Sequence, residues 1–315
     1  MLSIGFVVTP GFPFMSLAAL SVFEFANLSA QQRHYDVQIL SENGGPVSST
    51  LGATVDTTAW SEARFDTLII GGNTRFVPAS PGLTGFVAAT ATTARRIASI
   101  CTGVFVLAEA GLLDGRRVTT HWAFTTEFKA RFPTMKMDEN RIFIIDGPIW
   151  TAAGNSAGID MTLAMLERDL GASLALAVAK LLVIDHRRAG GQSQHSALLD
   201  LAPKSDRIQD ALTFARANLH RPLSVERLAQ AARLSQRQFS RAFRAETGQS
   251  PGKAIENLRL EAARLMIEQS LHPVDFVAAE TGFGDQERMR RAFLRSFGHP
   301  PQAIRRIAQA RAATL

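Results

Sequence analysis

The stretch FSRAFRAETGQSP, residues 239–251, returns as MRRAFLRSFGHPP at residues 289–301. Every matched position is offset by 50 residues, so Phe243 corresponds to Phe293 and Gly248 to Gly298. In each copy a short amphipathic segment and a turn precede a polar cap and an Arg-rich helix. The last third of the chain therefore contains one structural unit twice.

Local signals in both copies predict a helix-turn-helix. In the first copy Ser224 and Ser235 are helix caps. In the second, Pro273 opens a helix, Gly282-Phe-Gly284 makes the turn and Asp285 caps the next helix. Two short helices joined by a tight turn are the outline of this motif. The sequence thus predicts an all-α region with two helix-turn-helix units.

The spacing of apolar residues leaves a polar set on the outer face of each second helix. Taken one at a time, these residues fit a solvated surface as well as a nucleic-acid contact. As a duplicated set they are candidates for facing a DNA groove. They are Arg237, Ser240, Arg241 and Arg244 in the first unit, and Gln286, Glu287, Arg288, Arg290 and Arg291 in the second.

The segment between the units predicts a rigid connection. Residues 251–270 contain few helix breakers, and about 20 residues at ~1.5 Å each give a helix of ~30 Å. We expect Ile255, Leu258, Ala262, Leu265 and Met266 to face inward. One turn of duplex DNA is ~34 Å long, so two recognition helices on this helix would reach successive major grooves.

The charge distribution points to the same partner. Residues 204–315 hold 19 Lys or Arg against 11 Asp or Glu, a net charge of +8. Since the whole chain has a formal charge of +6, the first 203 residues carry −2. The basic surplus lies in the repeat region, where it can neutralise phosphates and release counterions. The sequence therefore predicts double-stranded DNA as the partner of this region.

Residues 205–310 resemble the AraC/XylS-type DNA-binding domain. The resemblance is carried by Gly282-Phe-Gly-Asp285, Met289, Arg291, Phe293, Phe297-Gly298 and Pro301. It implies base-reading side chains in the first turns of each recognition helix. Those positions are Arg237, Ser240 and Arg241, and Gln286, Glu287, Arg288 and Arg291. Arg and Gln can contact guanine and adenine edges in bidentate fashion. Glu287 either accepts from cytosine or pairs with a neighbouring arginine.

The first two hundred residues predict a second domain of a different class. Short apolar runs bounded by Gly and Pro alternate with helical stretches, the first of which is Leu17–Ala30. The apolar runs extend from Ile4–Val8 through Thr67–Ile70, Ile97–Ile100 and Val118-Thr119 to Trp150–Ala152. Runs that are apolar on both faces indicate a mainly parallel sheet covered on both sides. We expect a flavodoxin-like α/β sandwich whose ligand site lies at the carboxyl ends of its strands.

Composition narrows the class of protein. The chain has 315 residues, 46% of them hydrophobic and 20% charged, which fits an ordinary soluble protein with two domains. We expect neither a signal peptide nor a membrane span, and hence a cytoplasmic, nucleoid-associated protein. A single cysteine excludes an intrachain disulfide and a cysteine-based structural zinc site. Neither Asp114 nor Asp160 has metal-ligand spacing with a histidine pair, so we expect no metal. We also expect no cofactor.

The single cysteine, Cys101, occupies a predicted strand-to-helix elbow. Residues 97–100 form the strand, 101–103 the bend and 104–110 the helix. Small neighbours permit strained backbone there, and a helix N-terminus is expected to lower the pKa of the thiol. The alternative is a buried core cysteine, which is common. The position alone does not separate a reactive thiol from a structural one.

Three segments resemble the PfpI-type branch of the class I glutamine amidotransferase-like superfamily. They are Ser99–Gly103, Ala108–Trp122 and Trp150–Asp160, within a similarity spanning residues 2–190. The match is closest to the GlxA-like version, which is fused to AraC-type domains in bacterial regulators. With the C-terminal resemblance it covers nearly the whole chain.

In enzymes of this superfamily the elbow cysteine is the nucleophile, with a histidine after it and a carboxylate early in the chain. Cys101 and His121 occupy the first two positions, but the loop of residues 10–16 ends in Ser16 and holds no acid. We therefore expect a non-catalytic domain whose backbone amides, which hold an oxyanion in the enzymes, bind a small metabolite. The predicted ligand-binding residues are Gly72, Asn73, Cys101, Thr102, His121 and Asn155.

Two of these residues keep a second interpretation. His121 is either a ligand contact or a satisfied histidine between strand and helix. Asn155 fits a ligand contact or turn geometry equally well. Oxidation of Cys101 as a sensing step is a third, weaker interpretation of the thiol.

Together these features predict a ligand-responsive bacterial transcriptional regulator. Residues 1–188 would sense an effector such as an amino acid or a quaternary amine, 189–204 would be a linker, and 205–315 would bind operator DNA. The resemblance implies a homodimer and, as the more usual role, an activator, for which RNA polymerase is a further candidate partner. The alternative is a cysteine-dependent hydrolase, hydratase or deglycase with a DNA-binding appendage.

Overall fold

The chain divides into two compact units, Met1–Gln194 and His195–Leu315. They are seen in a computed structural model that describes residues 1–30, 32–60, 64–139, 141–184, 190, 194, 201 and 203–313. Most of the predicted linker, namely residues 189, 191–193, 195–200 and 202, lies outside the described residues, so its bounds stay a prediction. Each unit is described by itself.

The first unit alternates strands and helices, as the sequence predicts. Its strands are β1 (Leu2–Val7), β2 (Tyr35–Ser41), β3 (Gly45–Ser48), β4 (Thr54–Ala59), β5 (Thr67–Ile70), β6 (Arg96–Ile100), β7 (Arg117–Val118), β8 (Lys136–Met137), β9 (Phe143–Asp146) and β10 (Ile149–Ala152). Its helices are α1 (Ser21–Ser29), α2 (Pro81–Ala91), α3 (Gly103–Glu109), α4 (Thr125–Arg131), α5 (Asn155–Leu170) and α6 (Ala172–Leu181).

Eight of these strands form one sheet in the order β3-β4-β2-β1-β5-β6-β10-β9. The pairs from β4 through β2, β1, β5 and β6 to β10 are parallel, whereas β3 and β9 are antiparallel at the two edges. The predicted mainly parallel sheet is thus confirmed. Val7 pairs with Ile70, and Ile100 pairs with Ala152, so the carboxyl ends of the central strands lie side by side.

Both faces of the sheet are covered, and the central strands β5, β6 and β10 are buried at every position. In β5, Leu68 and Ile70 belong to one buried cluster and Ile69 to another. Alternate side chains of a strand point to opposite faces, so each cluster fills one side of the sheet. Helices α1, α5 and α6 contribute to the cluster around Ile69, and α2 and α3 to the other. This is the predicted sandwich.

The structure corrects several local predictions. The helix expected from Leu17 begins as a 3₁₀ segment, Phe14–Leu20, and only then becomes α1. The predicted strand Val118-Thr119 lies outside the main sheet, where β7 pairs with β8. The β3–β4 hairpin was not predicted, because β4 alternates half-buried Val, Thr and Ala with exposed polar residues at a sheet edge, which is a weak apolar pattern.

The second unit is helical among its described residues. Its helices are α7 (Asp206–Ala217), α8 (Val225–Ala231), α9 (Gln236–Thr247), α10 (Pro251–Gln269), α11 (Val274–Glu280), α12 (Gln286–Phe297) and α13 (Pro301–Ala313). Helices α8 and α9 form the first helix-turn-helix, α11 and α12 the second, and α10 connects them. None of the helices that the structure describes is long and apolar enough to cross a bilayer.

The predicted helix caps of both helix-turn-helix motifs are confirmed. The Ser224 side chain accepts from the Arg227 amide, and Ser235 forms a reciprocal capping box with Gln238. The Asp285 carboxylate accepts from the Arg288 amide at 2.7 Å. These side chains satisfy helix N–H groups that would otherwise lack a partner. The two recognition helices, α9 and α12, each end at a glycine in the left-handed conformation, Gly248 and Gly298. These two glycines are 50 residues apart, as the repeat predicts.

The connecting helix buries two stripes where the sequence predicted one. Ala254, Ile255 and Leu258 pack into the core of the first helix-turn-helix, together with Phe239 and Phe243. Farther along the helix, Leu260, Ala263 and Ile267 pack into the core of the second, together with Met289 and Phe293. Of the residues expected to face inward, Ala262, Leu265 and Met266 are only half-buried. The pattern differs because one helix serves two separate cores.

Candidate nucleic-acid interface and ligand site

The first candidate site is built around Cys101, at the carboxyl end of β6. Cys101 has a φ of 56°, which is unusual for a residue other than glycine. Its amide donates to the Ala152 carbonyl at the end of β10, 2.9 Å away. The chain then enters α3 within two residues. The predicted strained elbow is confirmed.

Glycines let a neighbouring loop approach this elbow closely. A Cβ atom at Gly72 would lie 2.6 Å from the Ile100 carbonyl oxygen and 2.8 Å from the Cβ of Cys101. A Cβ atom at Gly103 would overlap the Ile70 carbonyl oxygen. The ends of β5 and β6 therefore meet backbone to backbone, which explains why small residues occupy both positions.

Hydrogen bonds lock the two loops together. The Asn73 amide donates to Thr102 Oγ1 at 2.6 Å, and Thr102 Oγ1 donates to the Asn73 carbonyl at 3.1 Å. Asn73 also reaches the end of β1, because its Nδ2 donates to Thr9 Oγ1 at 2.8 Å. The structure thus brings Gly72, Asn73, Cys101 and Thr102 together.

His121 lies beside the elbow on the next loop. Thr120 Oγ1 donates to the Cys101 carbonyl at 2.9 Å and holds this loop in place. His121 Nδ1 accepts from the Ala123 amide at 3.3 Å, so the ring caps a short 3₁₀ turn. A Cβ atom at Gly154 would lie 3.5 Å from the His121 ring. His121 is thus close to the start of α5 as well as to Cys101.

Asn155 and Ser16 complete the group. Asn155 is the first residue of α5, and the N-cap residue Gly154 has no side chain that could cap this helix. The Ser16 hydroxyl is buried and donates to Asn155 Oδ1 at 3.3 Å. Ser16, the last residue of the loop of residues 10–16, is therefore joined to another predicted site residue. All six predicted ligand-binding positions lie around the ends of β5, β6 and β10.

The thiol at this site is not an activated one. Burial raises the pKa of Cys101 to about 11, and the hydrogen bond from the Thr102 amide offsets this only in part. The expectation of a lowered pKa was wrong, because desolvation of the thiolate outweighs the N-terminal end of α3, a helix of 7 residues. At neutral pH the sulfur carries its proton.

The rate at which Cys101 is alkylated tests the raised pKa of its thiol. Since the thiolate is the reactive form, the rate with iodoacetamide should rise with pH up to a midpoint near pH 11. The sign of the accompanying stability change follows from the raised pKa. Stability from the buried thiol is complete below the unfolded value near pH 9 and is lost as pH rises through 11. A midpoint below pH 8 would contradict this prediction.

Sequence reasoning missed one residue at the site, Gln194. Its Nε2 donates to the Thr120 carbonyl at 2.7 Å and to Thr119 Oγ1 and the Arg141 carbonyl at 3.1 Å. Its Oε1 accepts from the Trp122 amide at 2.9 Å. One side chain of the predicted linker is thus bound to the residues on both sides of His121. The run of Gly, Gln and Ser around it gave no signal of this contact.

The second candidate site is the outer face of the recognition helices. All the predicted DNA-binding side chains are exposed except Ser240, which is half-buried. Arg237, Arg241 and Arg244 follow one another at helical spacing on α9, and Gln286, Glu287 and Arg288 occupy the first turn of α12. Glu287 pairs with Arg290 at 3.2 Å, which is the second of its two predicted roles.

A groove between the two helix-turn-helix units continues this face. Leu223, Ile255 and Phe283 line it together with Arg259, Arg288, Arg291 and Arg295. Glu256 pairs with Arg295 at 3.4 Å within the groove. Burial, and then the positive charge of Arg288, lower the pKa of Arg259. The structure therefore places two predicted base-reading arginines, Arg288 and Arg291, among further cations that the sequence did not single out.

Comparisons with known proteins match both units. Residues 19–168 match the DJ-1/PfpI family, and residues 228–307 match a helix-turn-helix domain. The HTH-type transcriptional regulator GbdR of Pseudomonas aeruginosa (strain UCBPP-PA14) is 30% identical over 308 residues, covering 95% of this chain and 83% of the relative. The regulator GlxA of Rhizobium meliloti (strain 1021) is 31% identical over 325 residues, covering 96% and 95%.

Solved structures agree on the fold of the first unit. An AraC family transcriptional regulator from Pseudomonas putida superposes with a TM-score of 0.54 and 24% identity, over 58% of this chain and 100% of that one. With a DJ-1/PfpI-like sandwich, two helix-turn-helix units and regulators related along its length, this chain belongs to the family of HTH-type transcriptional regulators that join a DJ-1/PfpI domain to an AraC-type helix-turn-helix domain.

Proposed function

We propose that this regulator binds operator DNA through both helix-turn-helix units and responds to a small metabolite bound at the Cys101 elbow. The observation that carries the proposal is the pairing of an intact elbow with a protonated thiol. The ends of β5 and β6 meet backbone to backbone at this elbow, while the pKa of Cys101 is about 11. Recognition of a ligand needs the first feature and not a thiolate.

The chemistry of the site favours a carboxylate-bearing or nitrogenous effector, such as an amino acid or a quaternary amine. The Gly72 and Thr102 amides are the donors that the elbow offers to a carboxylate, because the Asn73 and Cys101 amides already donate to Thr102 Oγ1 and to the Ala152 carbonyl. Trp122 is 54% exposed, and its ring lies 5.4 Å from that of His121. An exposed aromatic face suits a methylated ammonium group.

Catalysis is the weaker proposal. A cysteine hydrolase needs a base or acid partner, and losing proton transfer typically costs a factor of ~10²–10⁴. Here the acid position holds Ser16, whose hydroxyl is bound to Asn155. The relatives that match along the whole chain are regulators. A turnover assay with Cys101→Ser as control would reverse this preference if activity vanished with the thiol.

Gln194 is the residue that we propose to carry the ligand signal toward the linker. It binds the loop that holds His121, so a ligand that moves this loop also moves Gln194. Regulation would then act on how two copies of the chain present their DNA-binding units. We propose a homodimer that works as an activator in the cytoplasm, in contact with RNA polymerase.

A thermal-shift screen of the full chain with amino acids and quaternary amines tests the sensor. At ten times its Kd a ligand should stabilise by about 1.4 kcal/mol, which raises Tm by roughly 3–5 °C for a unit of this size. We expect Gln194→Ala to keep this shift and to lose the effect of the ligand on DNA affinity. A ligand effect on DNA affinity unchanged in Gln194→Ala would contradict the role of Gln194. The absence of any stabilising ligand would contradict the sensor itself.

A further inference from the structure

The two helix-turn-helix units touch at a point that neither recognition helix uses. Gly282, in the turn of the second unit, has a φ of +75°. A Cβ atom there would overlap the carbonyl oxygen of Leu219 and lie 2.8 Å from Arg259 Nε. Leu219 follows α7 and packs against the core of the first helix-turn-helix. The turn of the second helix-turn-helix therefore lies directly on the backbone that precedes the first.

Arg259, on the connecting helix, joins the same contact. Its Nε donates to the Leu219 carbonyl at 3.2 Å, and its Nη2 donates to the Arg221 carbonyl at 2.8 Å. A planar guanidinium can hold two acceptors in a fixed direction, which a lysine ammonium cannot do. The loop after α7, the middle of α10 and the turn before α12 are thereby fixed to one another.

Arg259 lies where the connecting helix changes from one core to the other. Leu258 is the last residue of α10 in the first core, and Leu260 is the first in the second core. They are two residues apart, or about 200° around the helix axis. The residues that determine how the second helix-turn-helix is rotated about the axis of α10 therefore lie next to Arg259.

We propose that Arg259, with Gly282 and the Leu219 carbonyl, sets the angle between the two recognition helices and so selects the spacing between the two half-sites in the operator. The inference rests on the proposed binding of DNA by both units. Each unit keeps its own core without this contact, so a single half-site should not depend on it. Two half-sites in successive grooves do depend on it, because linked binding loses affinity when the geometry does not match the span.

The test is selection from a pool of randomised duplexes of about 40 bp, or roughly four helical turns, by full-length wild type, Arg259→Ala and Arg259→Lys. Wild type should enrich paired half-sites at one spacing. Both variants should enrich the same half-sites at a wider range of spacings. Their affinity for the wild-type duplex should fall about tenfold. Arg207→Ala, which removes a charge from α7, should leave the spacing unchanged.

Arg259→Lys separates geometry from charge. If the spacing distribution of both variants equals that of wild type, the inference is overturned. It is also overturned if Arg259→Lys, which keeps the positive charge in the groove, loses affinity for a single half-site, because Arg259 would then support the fold of one helix-turn-helix rather than the angle between the two. If wild type enriches no duplex, DNA binding by both units fails, and this inference fails with it.

Discussion

Arg241→Ala and Arg291→Ala should each weaken binding to the wild-type operator by about 1–3 kcal/mol, or roughly 5- to 150-fold. Each arginine is the sixth residue of its recognition helix and is exposed on the outer face. An arginine at such a position can donate to both guanine acceptors in the major groove. Removing it leaves those acceptors without their partner, so the loss is specific to certain base pairs.

The two effects should add in the double variant, because the side chains lie on helices with separate cores. We expect a combined loss of roughly 2–6 kcal/mol, measured by titrating a labelled duplex at fixed salt. Arg216→Ala is the matched control, since it removes one exposed charge from α7. If both single variants bound as tightly as wild type, our placement of the recognition helices would be wrong.

The slope of log affinity against log salt concentration distinguishes contacts to phosphates from contacts to bases. Loss of a phosphate contact lowers the slope by about one and weakens all sequences alike. Loss of a base contact keeps the slope and relaxes the preference at one position. We expect the second behaviour for Arg241 and Arg291, and the first for Arg295, which lines the groove between the units.

The helix-turn-helix region was predictable to the level of single caps. Ser224, Ser235 and Asp285 were assigned from local sequence, and each accepts the expected amide hydrogen bond. A cap depends on atoms within three or four residues, so a local pattern suffices to identify it. The elbow at Cys101 was predictable for a similar reason, since a buried strand, small residues and a helix follow one another directly.

The missed features depend on parts of the chain that are distant in sequence. Gln194 binds Thr119, Thr120, Trp122 and Arg141, which are more than 50 residues away. The pKa of Cys101 was predicted in the wrong direction, because the local helix terminus is visible in the sequence whereas burial by distant elements is not. The second stripe of α10 was missed because the predicted helix was assigned to one core instead of two.

Gly72→Ala should destabilise the N-terminal unit, Met1–Gln194, by about 1–3 kcal/mol. This is the usual cost of forcing extra atoms into a well-packed site. The new Cβ would lie 2.6 Å from the Ile100 carbonyl oxygen, 2.8 Å from the Cβ of Cys101 and 2.9 Å from the Thr102 amide nitrogen. Two of these three atoms are backbone, so no side chain can rotate away to make room. The loop of Gly72 would have to move off the elbow.

Gly85→Ala is the matched control, because Gly85 is exposed on α2 and an added Cβ meets nothing within 4 Å. That variant should be stabilised by about 0.4–1 kcal/mol. Gly72→Ala should instead lower Tm by roughly 2–12 °C and abolish the shift produced by an effector, because Asn73 would leave Thr102. DNA affinity without effector should be unchanged, since both helix-turn-helix cores lie in the other unit. Gly72→Ala with the Tm and ligand response of wild type would show that this close approach does not shape the site.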